Sequence, residues 1–269
     1  MKKKVLFYLS LVVLLGIAGL SGLKLWAYYS ASLTESRLHE RLVTTVAAVP
    51  DEKETEGASL QASYEALRAT YQTLDEMNPD FAAWIRIEGT EIEYPVVQAA
   101  DNDFYLERNI YKESSRYGTL FFDAYCDLSA PSDNLIIYGH NMKDGQMFGG
   151  LMDYVDQTFY EAHPVIRLDT PEIFAEYQII AVFKTSVYDK PSGTFQYFDF
   201  IDAQDEAAYQ TFVQAIMRLS LYETGHTAAY GDPLLTLSTC EYSSENGRLV
   251  VVAKRKQILY ETAAVLSTH

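Results

Sequence analysis

Nineteen consecutive residues, Val5 to Leu23, carry no charge, and Lys2, Lys3, Lys4 precede them while Lys24 follows. In hydrocarbon the backbone N–H and C=O groups must be satisfied within the segment itself, which makes such a run helical; nineteen residues as a helix just span the ~30 Å apolar core of a bilayer. Lysines ahead of the run and Trp26, Tyr28 and Tyr29 behind it predict an N-terminus inside the cell and an aromatic belt at the outer interface. A cleaved secretory signal starts the same way, but its apolar region is about 7–15 residues long and ends in an Ala-x-Ala-like site, which is missing here. An uncleaved anchor over residues 5–23 therefore fits better, with residues 1–4 as a cytoplasmic stub and the remainder outside the membrane on either reading.

Over the whole chain, 48% apolar residues with only 14 Gly and 8 Pro allow one sizeable core behind the anchor. Residues 24–57 turn polar, most clearly in Val49 to Gly57, and read as a stalk or linker. Leu60, Tyr64, Leu67, Tyr71 and Leu74 then follow at spacings of four and three, the stripe of an amphipathic helix lying across what comes next. Strands are predicted at Trp84–Ile87, Ile92–Val97, Gly118–Phe122, Asn134–Tyr138, Val165–Leu168, Phe174–Phe183, Leu234–Thr239 and Leu249–Ala253. Short apolar strands with turn residues between them, and Pro95 suited to an edge or bulge, predict a closed or nearly closed β-barrel. One helix interrupts it at Ala203–Leu221, with Tyr209, Phe212, Val213, Ile216 and Met217 on one face. The folded domain is expected over residues 58–260, with a tail at 261–269.

Three residues carry the chemistry. The strand Asn134–Tyr138 delivers His140 at its end, Leu234–Thr239 delivers Cys240, and Arg248 stands just ahead of Leu249–Ala253. Taken singly, a cysteine is more often a small buried hydrophobe, a histidine a satisfied structural residue and an arginine a solvated charge. Together at strand ends they form a set for acyl transfer: a thiolate as nucleophile, an imidazole to give and take a proton, and a guanidinium to hold charge on a tetrahedral oxyanion. Arg255 and Arg218 suit a basic strand end and a helix face instead. A disulfide between Cys126 and Cys240 is the other use of two cysteines in an exported chain, but it would consume the nucleophile.

Other chemistries have weaker support. His39, His140, His163, His226 and His269 are scattered, so no metal site is expected; the acidic stretches Asp127–Asp133 and Asp202–Glu206 lack the ordered spacing of an EF-hand; and no phosphate loop appears, so no cofactor is expected. A net charge of −16 argues against nucleic-acid binding.

Five segments, TLSTCEY (Thr236 to Tyr242), GRLVVVAKR (Gly247 to Arg255), LIIYGHNM (Leu135 to Met142), NPDFAAWIRIEGTEIEYPVVQ (Asn78 to Gln98) and DNDFYLERN (Asp101 to Asn109), resemble the sortase family, and class B sortases in particular, from about Leu60 to Lys256. The resemblance implies a mostly β fold: a closed sortase-type barrel of about eight strands, with an N-terminal helix and one long helix inserted before the cysteine strand. It implies a membrane-anchored cysteine transpeptidase with its catalytic domain outside the cell. Cys240 would attack a threonine carbonyl within the C-terminal sorting motif of a secreted protein; His140 would exchange protons with the leaving and incoming amines, and Arg248 would hold the oxyanion. The acceptor amine would belong to the peptidoglycan cross-bridge or to a pilin lysine, and the lack of an Asp-Pro-aromatic lid leans toward wall anchoring. By motif position Asn102, Leu106, Tyr138, Ser238, Thr239 and Glu241 would line the sorting-signal groove, with Tyr188 to Phe200 facing substrate. Leu106 as ordinary core and Asn102 as an ordinary turn residue stay open, as do a plain cysteine endopeptidase and a membrane-tethered binding domain.

Overall fold

The computed structural model describes residues 2–46, 58–187, 195–241 and 246–262. The expected linker Val49–Gly57, residues 188–194 of the segment expected to face substrate, and residues 263–269 of the tail lie outside the described residues. The chain divides into two units, Met1–Arg41 and Leu42–His269.

Helix α1 spans Lys2–Val46. It does not stop at Lys24, because no Gly or Pro occurs between Leu23 and Val46 and Leu, Ala, Glu and Arg sustain the helix through the polar stretch. Leu6, Phe7, Leu9, Leu14, Leu20 and Trp26 are among its exposed apolar side chains.

The second helix, α2 (Ala58–Met77), buries Tyr64, Leu67, Tyr71 and Leu74 of the expected stripe; the side chain of Leu60 lies outside the described residues. Tyr71 lies against Phe81, Trp84 and Phe174. Its hydroxyl donates to Asp169 Oδ2 at 3.1 Å, and Arg167 Nε holds the same carboxylate at 2.9 Å. Burial pushes the Asp169 carboxyl up from its ordinary range while the Arg167 charge pulls it back.

Eight strands follow: β1 Phe81–Arg86, β2 Glu93–Val97, β3 Leu120–Phe122, β4 Asn134–Gly139, β5 Val165–Asp169, β6 Ile173–Ser186, β7 Leu234–Glu241 and β8 Gly247–Glu261. They close in the order β1-β2-β3-β4-β7-β8-β6-β5. The pairs β2–β3 and β4–β7 are parallel and the others antiparallel. A short helix α3 (Gln157–Ala162) precedes β5. Helix α4 (Glu206–Leu219) packs on β6 through Tyr209, Phe212, Val213 and Ile216. It starts later than the periodicity predicts because the Asp205 side chain caps it, accepting from Ala208 N. Pro95 faces Trp84 in the β1–β2 ladder, beside the bulge between Phe81 and Ala83 and one residue before the two-residue β2–β3 pairing starts at Val96, where a missing donor costs little. Gly118, expected to open a strand, has φ +64 and turns the chain instead, so β3 begins at Leu120.

Removing only the hydroxyl in Tyr71→Phe leaves the ring packing and deprives the buried Asp169 carboxylate of a donor. The expected cost is about 1–3 kcal/mol of domain stability by chemical denaturation. An unchanged midpoint would show that the Tyr71–Asp169 hydrogen bond contributes nothing to holding α2 on the barrel.

Candidate active site

Parallel pairing decides which residues meet. Strands β4 and β7 run side by side in register from Asn134↔Leu234 to Gly139↔Thr239. His140 and Cys240 are therefore the next residues in register, at the same end of neighbouring strands. Strand β8 returns antiparallel along the other side of β7 and sets Arg248 directly opposite Cys240. Residues opposed across an antiparallel pair project from the same face of the sheet, with Cβ atoms roughly 4.5–5.5 Å apart. Arg255 pairs with Tyr177 and its backbone N–H reaches Pro233, at the far end of β7, and Arg218 is in the last turn of α4. At about 3.3 Å per residue the length of β7 keeps Arg255 roughly 20 Å away along the strand.

The backbone around the pair is tied down on every side. Thr239 Oγ1 donates to Gly139 O at 2.8 Å, Phe148 N donates to His140 O at 2.9 Å, and Asn141 Nδ2 donates to Cys240 O at 2.8 Å. A methyl group on Gly139 would run into the side chains of Leu120 and Phe148, so the strand end closes tightly under His140. The ring itself is held by its Nε2, 2.7 Å from the Leu106 carbonyl oxygen. Cys240, His140 and Arg248 are each partly exposed. The Arg248 guanidinium donates from Nη1 to the Gly247 carbonyl at 2.9 Å.

A buried polar floor underlies these groups. Asp123, only 4% exposed, accepts from the Tyr138 hydroxyl at 2.8 Å and from Asn102 Nδ2 at 3.1 Å through Oδ2, and from Tyr125 N at 2.9 Å through Oδ1. Tyr197 and Ser238, both buried, share a hydroxyl–hydroxyl bond of 2.6 Å. Burial pushes the Tyr138 phenol well above its ordinary range and raises that of Tyr197; Tyr197 and Asp123 push Tyr138 further, while the Ser238 bond and the Arg248 charge act against the shift at Tyr197. Both stay neutral and act only as hydrogen-bonding groups.

The groove residues expected from the sequence fall into two kinds. Asn102, Leu106 and Tyr138 are partly exposed; Asn102 accepts from Ala124 N while it donates to Asp123, and the Leu106 main chain touches His140. Ser238 and Thr239 are buried, with both hydroxyls spent inside the protein. The side chain of Glu241 lies outside the described residues. Sequence reasoning missed Asp123, Asn141 and Gly118. Asp123 stood in plain view between the apolar Phe121–Phe122 and Cys126, but nothing in the local pattern marks a carboxylate as buried. Asn141 was legible only as the residue after His140.

Both cysteines are free thiols. Cys126 is buried, takes the Ile136 N–H on its sulfur at 3.4 Å, and is pushed by burial up to about 12.

The family profile of the sortase domain matches residues 85–256. Sortase B of Staphylococcus aureus is 36% identical over 192 residues, covering 71% of this chain and 76% of that protein. Sortase B of Listeria monocytogenes is 32% identical over 245 residues, covering 90% and 94% respectively. Among solved structures, the Staphylococcus aureus sortase B–substrate complex superposes with a TM-score of 0.72 at 30% identity, over 86% of this chain and 99% of that one.

With one thiol partly exposed and the other buried as a neutral S–H, alkylation at neutral pH without reductant is expected to modify Cys240 first, and Cys126 only after denaturation. Peptide mapping by mass spectrometry reads the order; labelling of Cys126 at an equal rate in the native chain would contradict its burial.

Proposed function

The chain belongs to the sortase family and is a sortase-type cysteine transpeptidase of class B likeness; we propose that it cleaves a C-terminal sorting motif on secreted proteins and passes the acyl group to an amine of the cell wall. The observation that carries the residue roles is the register: parallel β4–β7 pairing with Cys240 opposite Arg248 on β8.

In this reading the Cys240 sulfur, its proton held on His140, attacks the scissile carbonyl carbon, forming a C–S bond and moving the C=O electron pair onto oxygen. Arg248 and main-chain N–H groups near the nucleophile hold that oxyanion, the charge that develops only along the reaction path. Collapse breaks the C–N bond, and His140 delivers a proton to the departing amine, leaving a thioester on Cys240. An incoming amine then gives its proton to His140, attacks the thioester carbon and releases the thiol. The pinned backbone at Gly139, His140 and Cys240 supports this assignment, because a nucleophile and its acid–base partner held by fixed main-chain bonds need little rearrangement to react. Tyr138, Asn102 and Leu106 border the groove for the sorting signal; Ser238 and Thr239 act from beneath it, and Glu241 is kept as a contact by motif position.

The same reading gives the chain its architecture: residues 1–4 inside, 5–23 across the membrane, 24–57 a stalk, 58–260 the catalytic domain outside, and 261–269 a tail. The exposed apolar side chains along Leu6 to Trp26 support the anchor, since such a surface is stable only when something other than water covers it.

Cys240→Ala is expected to abolish turnover and His140→Ala to come close to it. Arg248→Lys keeps the charge but loses the planar donor set, and should lose about 10²–10³ in rate with the fold intact. The assay follows a fluorogenic sorting peptide with and without a small amine: amine incorporated into the product supports transpeptidation, whereas water as sole acceptor would make the protein an endopeptidase. Full activity of Arg248→Lys alongside an inactive Arg255→Lys would move the third role elsewhere.

The chain should also remain in the membrane fraction after alkaline carbonate washing and be released when residues 1–24 are deleted. Recovery of the intact chain in the soluble fraction would sink the anchor.

A further inference from the structure

We propose that Gly118 and the Leu106 carbonyl form a positioning device that keeps the proton of neutral His140 on Nε2, leaving Nδ1 as the nitrogen that exchanges protons during catalysis. The role of Nδ1 rests on the reading of His140 as the acid–base residue; the tautomer does not. The two can therefore fail separately.

His140 Nε2 lies 2.7 Å from Leu106 O. A carbonyl oxygen can only accept, so this ring nitrogen must donate, and in a neutral imidazole the lone pair is then on Nδ1. The acceptor is uncharged, so it orients the ring without adding the field that a carboxylate partner would bring to the imidazolium.

The carbonyl holds its direction because the short 3-10 turn Phe104–Glu107 that carries it is fixed on several sides. The Asp101 carboxylate accepts from Asp103 N at 2.9 Å and Phe104 N at 2.8 Å. Leu106 N donates to Asp103 O at 3.1 Å, and Thr119 N to Tyr105 O at 3.0 Å. Tyr105 is buried, with its hydroxyl donating to Asp80 at 2.7 Å and accepting from Asn78 at 2.9 Å.

Gly118 closes the arrangement from behind. Its φ of +64 already favours glycine, and a Cβ there would stand 2.6 Å from Tyr105 O, 2.8 Å from Leu106 O and 3.2 Å from the Leu106 carbonyl carbon. All three are backbone atoms, so no side-chain rotation relieves the overlap. The peptide that orients His140 has to move. Gly118 acts on the chemistry through the carbonyl it leaves room for.

The test uses the full chain in detergent. Nitrogen-15 histidine NMR on Cys240→Ala, with the His140 signals identified by their loss in Cys240→Ala/His140→Gln, reads the neutral tautomer directly. The expected result is a protonated Nε2 and a pyridine-type Nδ1; a proton on Nδ1 overturns the proposal whatever the variants do. Gly118→Asn tolerates the left-handed backbone yet puts a Cβ against the two carbonyls. It should mix the tautomers and, with Cys240 intact, lower kcat at least about tenfold while KM stays within about twofold. Gly225→Asn is the control, since Gly225 has φ +75 and a Cβ added there would meet nothing within 4 Å, and tautomer and kcat should both hold. A folded Gly118→Asn with the parent's tautomer and kcat overturns the proposal; if it does not fold, Gly118→Ala carries the same comparison and the parent tautomer still decides. Activity surviving in His140→Ala would instead defeat the acid–base reading and leave the tautomer result standing.

Discussion

Strands β4 and β7 are neighbours in the barrel although almost a hundred residues separate Gly139 from Leu234. A parallel pair needs a long crossover, and here the crossover contains α3, β5, β6 and α4, including two of the eight barrel strands. Buried side chains hold the register at both ends. Thr236 Oγ1 donates to Asn134 Oδ1 at 2.8 Å near one end, and Thr239 Oγ1 donates to the Gly139 carbonyl at 2.8 Å at the other. A slip of one residue would break both bonds and turn every side chain of one strand to the opposite face. His140 would then lose its place beside Cys240.

The same pair supports the polar floor of the site. Tyr138 and Ser238 lie opposite each other in the ladder, one bonded to Asp123 and the other to Tyr197. A buried polar group without partners costs on the order of 1–3 kcal/mol, so a network of this kind is stabilising only when complete. The Asp123 carboxylate has three donors, and two of them come from residues expected to border the substrate groove. Groove and core thereby share one set of hydrogen bonds.

Much of the architecture was legible in residue patterns. The stripe Tyr64, Leu67, Tyr71, Leu74 became the buried face of α2, and the apolar runs became barrel strands because alternation and β-branched content are local properties. Boundaries read less well. β8 runs to Glu261, well past Ala253, because pairing with β6 carries its polar second half, and α1 runs on through residues that composition alone assigned to a stalk. In both places a neighbouring strand or an unbroken run of helix formers outweighed the change in polarity.

The residue types and their attachment to strand ends marked Cys240, His140 and Arg248 as a set, and the motifs around them marked the family; both are readable along the chain because they depend on which residues follow one another. Their meeting was decided only by closure of the barrel, which brings β4, β7 and β8 side by side and sends Arg255 to the far end. The burial of Asp123, the internal use of the Ser238 and Thr239 hydroxyls, and the approach of Gly118 to the Leu106 carbonyl likewise belong to the folded chain alone. Each depends on atoms brought together from segments distant in sequence, and no local pattern encodes such a distance.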